Sequence, residues 1–340
     1  MFFKGVNFGF MAKRGYYGSA KAKEEVLRMK ETGVNAVCVT VTVWQEKFYS
    51  SCQFRDFEWT PGDDELCSII HFIHKQDMAV QLRPMLECFD GGMRDSIFFP
   101  HDGETIPGMK REYWKKWFDS YQKLTRYYAA IAQKCGCESY CMDSELNNAV
   151  LETECWKKTI AEAKKVYSGN VTCVLSNTPA IVDVFKYYLD DHWVCELDSL
   201  GLSVYPCVSV YPEDHPASVK EMISGMKRDT DEINLMMEKY PGICYFGECG
   251  CRSQARGSIL PGSWAKGKGF DETEQANYLQ AVTSVFGKNP RWHGLFWWKW
   301  EEQLDRPQYF DDPAGDKSFG IYGKKAAEIF KAWQIPEDHR

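Results

Sequence analysis

Short apolar runs alternate with amphipathic segments along the whole chain. The apolar runs are rich in Val, Leu, Cys and aromatic residues, a composition typical of strands that are buried on both faces. Eight such strands are predicted, at Phe3–Phe8, Ala36–Val43, Met78–Met85, a run ending at Glu145, Val171–Ser176, Ser199–Tyr205, a run ending at Glu248, and Gly294–Trp298.

Segments with an apolar position every three or four residues separate these runs and predict helices. The helices are predicted over residues 20–32, 60–75, 112–134, 153–167, 182–189, 217–239, 271–286 and 324–333. Ser19 is placed to cap the first helix, and Gly33 is placed to follow its end. Strands that alternate with helices predict a parallel sheet covered by helices.

This alternation suits either a closed barrel or an open doubly wound sheet. An open sheet usually carries a Gly-rich phosphate loop after its first strand, and residues 7–12 (Asn-Phe-Gly-Phe-Met-Ala) lack that pattern. The fold class predicted is therefore α/β, a single (β/α)8 TIM barrel. Because no linker, repeat or low-complexity segment interrupts the pattern, we expect one catalytic domain over residues 1–340.

Composition and charge narrow the expected partners. The formal net charge is -7, which argues against nucleic acid and against an anionic membrane surface, since both attract basic patches. No stretch is apolar for long enough to suggest a membrane span. A neutral substrate is compatible with this charge, and the aromatic content of 15% offers ring faces that match the C–H face of a sugar.

The cysteines predict a compartment rather than a site. Most of the 14 cysteines fall in strand-like runs, as expected of buried thiols in a reducing cytoplasm. The first residues lead directly into a strand pattern without the features of a secretory signal, so a cytoplasmic location is expected. The pairs Cys135/Cys137 and Cys249/Cys251 are closer together than zinc ligands usually are. No metal site and no cofactor are predicted.

Two glutamates carry the functional prediction. Glu145 and Glu248 each close an apolar run, and these runs are the fourth and seventh predicted strands. In a (β/α)8 barrel the carboxyl ends of the strands converge on one mouth, where active sites lie. Two carboxylates that meet there are the working groups of a glycosidase.

The ordinal positions of these glutamates resemble those of clan A glycoside hydrolases, whose acid/base ends strand four and whose nucleophile ends strand seven. Within the clan, the chain is most similar to glycoside hydrolase family 113, the β-mannanases. The matching stretches cover most of the chain and are Thr40–Gln45, Leu82–Glu87, Asp90–Arg94, Trp117–Tyr121, Met142–Glu145, Leu200–Tyr205, Glu248–Gly250, Gly294–Trp298 and Gly323–Ala326.

The resemblance implies retaining hydrolysis by double displacement, with Glu248 as nucleophile and Glu145 as general acid and then general base. Some positions depart from the pattern. Ser144 stands where the clan usually has Asn, Met85 stands where the family often has His, and Asn177 is followed by Thr-Pro rather than by an aromatic residue. The stretch between strands six and seven also looks longer than usual. These departures affect the expected subsites and not the reaction class.

Strand-tip positions predict the substrate-binding residues. Tyr205 is expected to hydrogen-bond the nucleophile, Trp298 to form the floor under the sugar, and Trp44 to stack on or hydrogen-bond a sugar. Arg83 and Glu87 are expected to form a charged pair that either grips hydroxyls or is structural. The remaining candidates for contacts with sugar are the loop residues Asp90, Arg94, Asn147 and Asn177.

The leading hypothesis is a hydrolase of β-1,4-mannosidic bonds in mannan or manno-oligosaccharides, which acts on short chains from one end if the mouth loops block the cleft. Its substrate partner is then an oligosaccharide. Alternatives are a clan A glycosidase on another β-linked oligosaccharide, such as a gluco- or galacto-oligosaccharide, and an inactive sugar-binding barrel. A metal-dependent lyase or isomerase on the same fold is disfavoured, because His is nearly absent from the strand tips.

Overall fold

A parallel barrel of eight strands forms the centre of the protein. The computed structural model describes residues 1–265, 269–300 and 316–336. The barrel strands are β1 (Phe3–Phe8), β2 (Ala36–Gln45), β3 (Ala79–Cys88), β4 (Ser139–Ser144), β5 (Asn170–Ser176), β6 (Ser199–Ser203), β7 (Ile243–Cys249) and β8 (Trp292–Trp300).

Helices surround the barrel. Those in the described part of the chain are α1 (Ala20–Glu31), α2 (Asp63–His74), α3 (Tyr113–Cys135), α4 (Thr153–Lys164), α5 (Pro179–Tyr187), α6 (Val219–Gly225), α7 (Lys227–Lys239), α8 (Glu272–Phe286) and α9 (Lys325–Ala332). Within that part, no helix combines the length and the apolar character needed to cross a bilayer.

The order of the strands closes the sheet on itself. Each strand pairs in parallel with its successor, and β1 pairs both with β2 and with β8. No edge strand therefore remains in the barrel. The predicted (β/α)8 fold is confirmed, whereas the count of one domain over the whole chain stays a prediction.

Several boundaries differ from the predicted ones for local reasons. β4 ends at Ser144 because Glu145 has a φ of 59°, which is left-handed and ends the extended backbone. The predicted helix over 217–239 is two helices that meet at Met226. Gly225 lies at this junction, where a Cβ would approach the side chain of Val208 to 2.7 Å. The Ser19 cap is confirmed, since its hydroxyl accepts a hydrogen bond from the Ala22 N–H.

The loop segments add short elements on one side of the mouth. A two-residue strand, Gln53–Phe54, pairs antiparallel with the end of β2. A small hairpin of Gly103–Ile106 and Met109–Arg111 lies in the loop after β3.

The interior of the barrel is layered. One apolar cluster at the amino-terminal end contains Ala36, Cys38, Tyr245 and Phe296. A second at the carboxyl end contains Met85, Trp298 and Phe319. The buried polar side chains of Asn7, Arg83 and Glu248 come from strand positions between these clusters. The charged groups of the mouth are thus held in an environment with little water.

Candidate active site

The Glu248 carboxylate lies at the end of β7, where it accepts two hydrogen bonds and forms one ion pair. Ser144 donates its hydroxyl to Oε1 at 3.0 Å, and Tyr205 donates its hydroxyl to Oε2 at 3.1 Å. The Arg83 guanidinium lies 3.1 Å from Oε1, and both charged side chains are buried. These contacts fix the orientation of a carboxylate and stabilise its charge. The predicted contact between Tyr205 and Glu248 is present.

Arg83 is itself held in place by neighbouring strands. Its Nη2 donates to Oδ1 of Asn7 at 2.9 Å, and the Asn7 amide donates to the Gly247 carbonyl at 3.0 Å. The expected pair of Arg83 with Glu87 is wrong. These residues are four apart on one extended strand, which separates them by about 13 Å along the strand axis. Each therefore pairs with a charged group at its own height along the barrel axis.

The Glu145 carboxylate projects from the first residue after β4. Its Oε1 accepts hydrogen bonds from Ser203 at 2.8 Å and from Ser176 at 3.3 Å. Its Oε2 accepts one from Arg94 at 3.0 Å. The side chain is 23% exposed, compared with 3% for Glu248. One carboxylate is therefore accessible from the mouth, and the other lies deeper.

Arg94 joins two carboxylates. One of its terminal nitrogens binds Glu145, and the other forms an ion pair with Glu87. Burial alone would lower the pKa of Arg94, but the charges of Glu87 and Glu145 outweigh that effect and raise it. The sequence predicted that Arg94 contacts sugar, whereas the structure buries it against Glu145. It is one of the groups that set the charge of the site.

The electrostatics of the two carboxylates are linked. Burial raises the pKa of Glu248, and the nearby charge of Glu145 raises it further, while Arg83 and Arg94 oppose the shift. The net direction is upward, because two close carboxylates in a poorly solvated site resist ionising together. Burial followed by the charge of Glu248 raises the pKa of Tyr205 well above its usual value. Tyr205 therefore remains a hydrogen-bond donor at any ordinary pH.

Aromatic rings form one wall of the mouth. Trp298 has its ring centroid 5.1 Å from that of Phe10 and 6.4 Å from that of Trp264. The guanidinium of Arg83 lies 5.9 Å from the Trp298 ring. Trp298 thus lies beside the arginine that pairs with Glu248, and its role as the floor under the sugar stays a prediction.

Trp44 begins a second aromatic region on the side of β2. Its ring meets that of Phe89 edge to face at 5.2 Å, and Phe89 lies 5.9 Å from Phe54. Among the residues that the structure describes, the buried Trp44 Nε1 has no hydrogen-bond partner. Unpaired buried donors are costly, and the role of Trp44 in binding sugar stays a prediction.

The other predicted ligands are placed differently. The Asp90 carboxylate accepts a hydrogen bond from the Gly92 N–H at 3.1 Å in an exposed turn. The Asn147 amide donates to Ser176 at 3.2 Å, so it supports a residue that contacts Glu145. Asn177 lines a cavity beside Glu145.

Sequence reasoning missed several members of the site. Ser176 and Ser203 contact Glu145, and Asn7 fixes Arg83. All three lie at or near the carboxyl ends of barrel strands, so a search for polar residues at every strand end could have found them. Ser144 was noted only as a departure, yet it donates to Glu248.

A cavity of about 490 Å³ opens beside Glu145. Its walls come from the ends of β5 and β6 and from helices α5 and α7. Within the described residues, no cluster of three or more His, Cys, Asp or Glu side chains is arranged to hold a metal ion. The mouth therefore combines two carboxylates, two buried arginines and an aromatic wall, and the cavity opens on the side of Glu145. Such an arrangement can perform acid/base and nucleophilic chemistry on an uncharged ligand.

Comparison with known proteins identifies the family. The profile of Glycoside Hydrolase Family 113 matches residues 6–324. The chain belongs to this family. It is a glycoside hydrolase, and the resemblance seen in the sequence is confirmed. No curated protein sequence matches the chain.

Solved structures of family 113 members share the whole fold. A family 113 β-1,4-mannanase is 28% identical, with a TM-score of 0.80 and coverage of 97% of this chain and 98% of that chain. The family 113 β-mannanase of Alicyclobacillus acidocaldarius is 25% identical, with a TM-score of 0.79 over 97% and 96% of the two chains. A β-glucuronidase from Ruminococcus gnavus, 13% identical with a TM-score of 0.60, covers 97% of this chain and 49% of its own and shares only the fold.

Proposed function

We propose that this family 113 enzyme hydrolyses β-1,4-mannosidic bonds in manno-oligosaccharides with retention of configuration. The single observation that carries the proposal is the arrangement of Glu145 and Glu248 at the ends of β4 and β7, each with its own arginine. Family membership and the mannanase activity named for its structural relatives support the choice of sugar.

In the first step, Glu248 attacks the anomeric carbon while Glu145 gives its proton to the glycosidic oxygen. The bond from carbon to that oxygen breaks, and a covalent bond from carbon to Glu248 forms. In the second step, Glu145 takes a proton from water, whose oxygen attacks the same carbon and releases Glu248. The result is one water consumed and both carboxyl groups restored.

The surrounding contacts fit these roles. A nucleophile needs a fixed carboxylate, and Glu248 is held by an ion pair with Arg83 and by hydrogen bonds from Ser144 and Tyr205. An acid/base must reach both a leaving oxygen and water, and Glu145 is the more exposed carboxylate. In retaining enzymes the two carboxyl groups lie about 5 to 5.5 Å apart, which leaves no room for an in-line water.

The direct test is hydrolysis of defined β-1,4-manno-oligosaccharides, with gluco- and galacto-oligosaccharides as comparison substrates. The E145Q variant should lose about 10²- to 10⁴-fold in kcat on the oligosaccharide. Its loss should be smaller on a dinitrophenyl glycoside, whose leaving group needs little protonation. E248A should be inactive on both. Full turnover by E248A would overturn the assignment, and greater activity on a different sugar would replace mannose.

We also propose that the natural substrates are short chains cleaved from one end. Trp264, from the long loop after β7, approaches Trp298 and packs on Phe319 at 5.3 Å, which narrows one side of the mouth. A time course on mannohexaose separates the modes. Release of one product size from the start fits end-wise action, whereas an early mixture of sizes contradicts it.

The cytoplasmic location also remains a proposal. All 14 cysteines lie in the described residues and all are free thiols, which suits a reducing compartment. Such a location would limit the enzyme to oligosaccharides small enough to be imported.

A further inference from the structure

The chemistry of the reaction indicates which side of the scissile bond the cavity beside Glu145 accommodates. Glu145 lines this cavity, together with Ser176, Ser203 and Tyr205, whereas Glu248 does not. If Glu145 is the proton donor, its carboxyl must meet the glycosidic oxygen, and everything beyond that oxygen is the leaving group. The space on the Glu145 side is therefore where the leaving group lies.

The cavity has the size of a small-ligand site. Its volume of about 490 Å³ falls within the usual range of roughly 300 to 1,000 Å³ for such sites. Two helices supply its outer wall, with Asp183 and Lys186 on α5 and Asp229 and Glu232 on α7.

Most of the charged groups in this wall already have partners. Lys186 lies 4.0 Å from Asp183, and Asp229 accepts a hydrogen bond from the Cys207 N–H at 2.8 Å. In the described residues, neither the Glu232 carboxylate nor the Asn177 amide has a hydrogen-bond or ionic partner. These two groups face the cavity with unused capacity, a carboxylate that accepts hydroxyl protons and an amide that both donates and accepts.

The charge of the wall limits what it can accept. Four acidic side chains line the cavity against two basic ones; the acids are Glu145, Asp183, Asp229 and Glu232, and the bases are Lys186 and Arg228. An excess of negative charge repels an anionic ligand and permits a neutral polyol. We propose that Glu232 and Asn177 bind the hydroxyl groups of a neutral leaving-group sugar and so determine specificity on that side. This inference rests on the proposed function.

Substrates with and without a leaving sugar test it. A β-mannotrioside has a sugar as its leaving group, which the proposal places in the cavity, whereas the corresponding β-glycosyl fluoride has a single atom as its leaving group. The measured quantity is the ratio of kcat/KM for the trisaccharide to kcat/KM for the fluoride. We expect E232Q to lower this ratio about tenfold, as for the loss of a hydrogen bond to a charged group, and N177A to lower it about threefold. The matched control is E238Q, an exposed carboxylate on the same helix, which should keep the wild-type ratio.

Charge selectivity provides a second readout that a structural role would not change. Wild-type enzyme should prefer the neutral trisaccharide to one whose leaving sugar is oxidised to a uronate, and E232Q should narrow that preference. Unchanged ratios in both E232Q and N177A would overturn the inference while leaving the proposed function intact. Wild-type enzyme that cleaves neither mannoside would instead overturn the proposed function, and this inference with it.

Discussion

Arg83 lies 3.1 Å from Glu248, and both side chains are buried within the barrel. A buried ion pair is costly to break, because the remaining charge has neither water nor partner. R83M should therefore lower the free energy of unfolding by about 3 to 5 kcal/mol. Chemical denaturation would measure it.

The matched variant for this pair is the double mutant R83M/E248Q. It removes both charges, so part of the lost stability should return. If R83M alone is as stable as the wild type, Glu248 does not depend on Arg83 for its charge balance.

Arg94 should control the pH range of activity. Burial and the charge of Glu145 raise the pKa of Glu248, and the positive charge of Arg94 opposes this shift. R94M removes that charge, so the pKa of Glu248 should rise and the acidic limb of the kcat/KM profile should move to higher pH. R94K keeps the charge and should shift the limb less. Movement of the limb to lower pH in R94M would contradict this account.

Tyr205 should assist Glu248 without changing its own protonation. Y205F removes the hydroxyl that donates to Glu248 Oε2 at 3.1 Å and should lower kcat/KM about tenfold. Because the pKa of Tyr205 is raised well above its usual value, the ratio of wild type to variant should not change as the tyrosine's ordinary pKa is approached. Y187F, at an exposed tyrosine, is the control. A rate equal to the wild type would show that this contact has no part in turnover.

Asp143 should make stability depend on pH. Burial raises its pKa to about 8, from an ordinary value of 3.8. The folded state therefore holds the proton more tightly than the unfolded state. The resulting stabilisation is complete below the unfolded pKa and is lost as pH rises from about 4 to about 8, by at most about 1.4 kcal/mol per pH unit.

The isosteric variant D143N carries no such proton and should flatten this dependence. Thermal unfolding of both proteins at several pH values between 4 and 8 would measure the effect. Parallel pH curves for the two proteins would show that Asp143 is not the group responsible.

The barrel could be predicted from the sequence because its signals are local. Apolar runs such as Ala36–Val43 are shorter than the helices that cover a barrel and too apolar for loops, so they predict buried strands. Their strict alternation with amphipathic segments then limited the topology to a few choices. The end of β4 was predicted one residue too far, because a left-handed φ at Glu145 is not visible in a strand pattern.

The pairing of charges could not be predicted in the same way. Arg83 and Glu87 are close in sequence, yet Arg83 pairs with Glu248 and Glu87 with Arg94. The partner of a side chain inside a barrel depends on its height along the barrel axis and on the strand that faces it. Both depend on the register of all the strands together.

The sequence by itself determined the eight-stranded barrel, the presence of Glu145 and Glu248 at strand ends, and the family resemblance, because periodicity and ordinal position are properties of the chain. The tertiary structure decided which arginine pairs with which carboxylate and which of the carboxylates of Glu145 and Glu248 is the more exposed. It also decided which helices line the cavity beside Glu145. Those relations join residues separated by many tens of positions. They follow from how the closed sheet brings distant strand ends to one mouth.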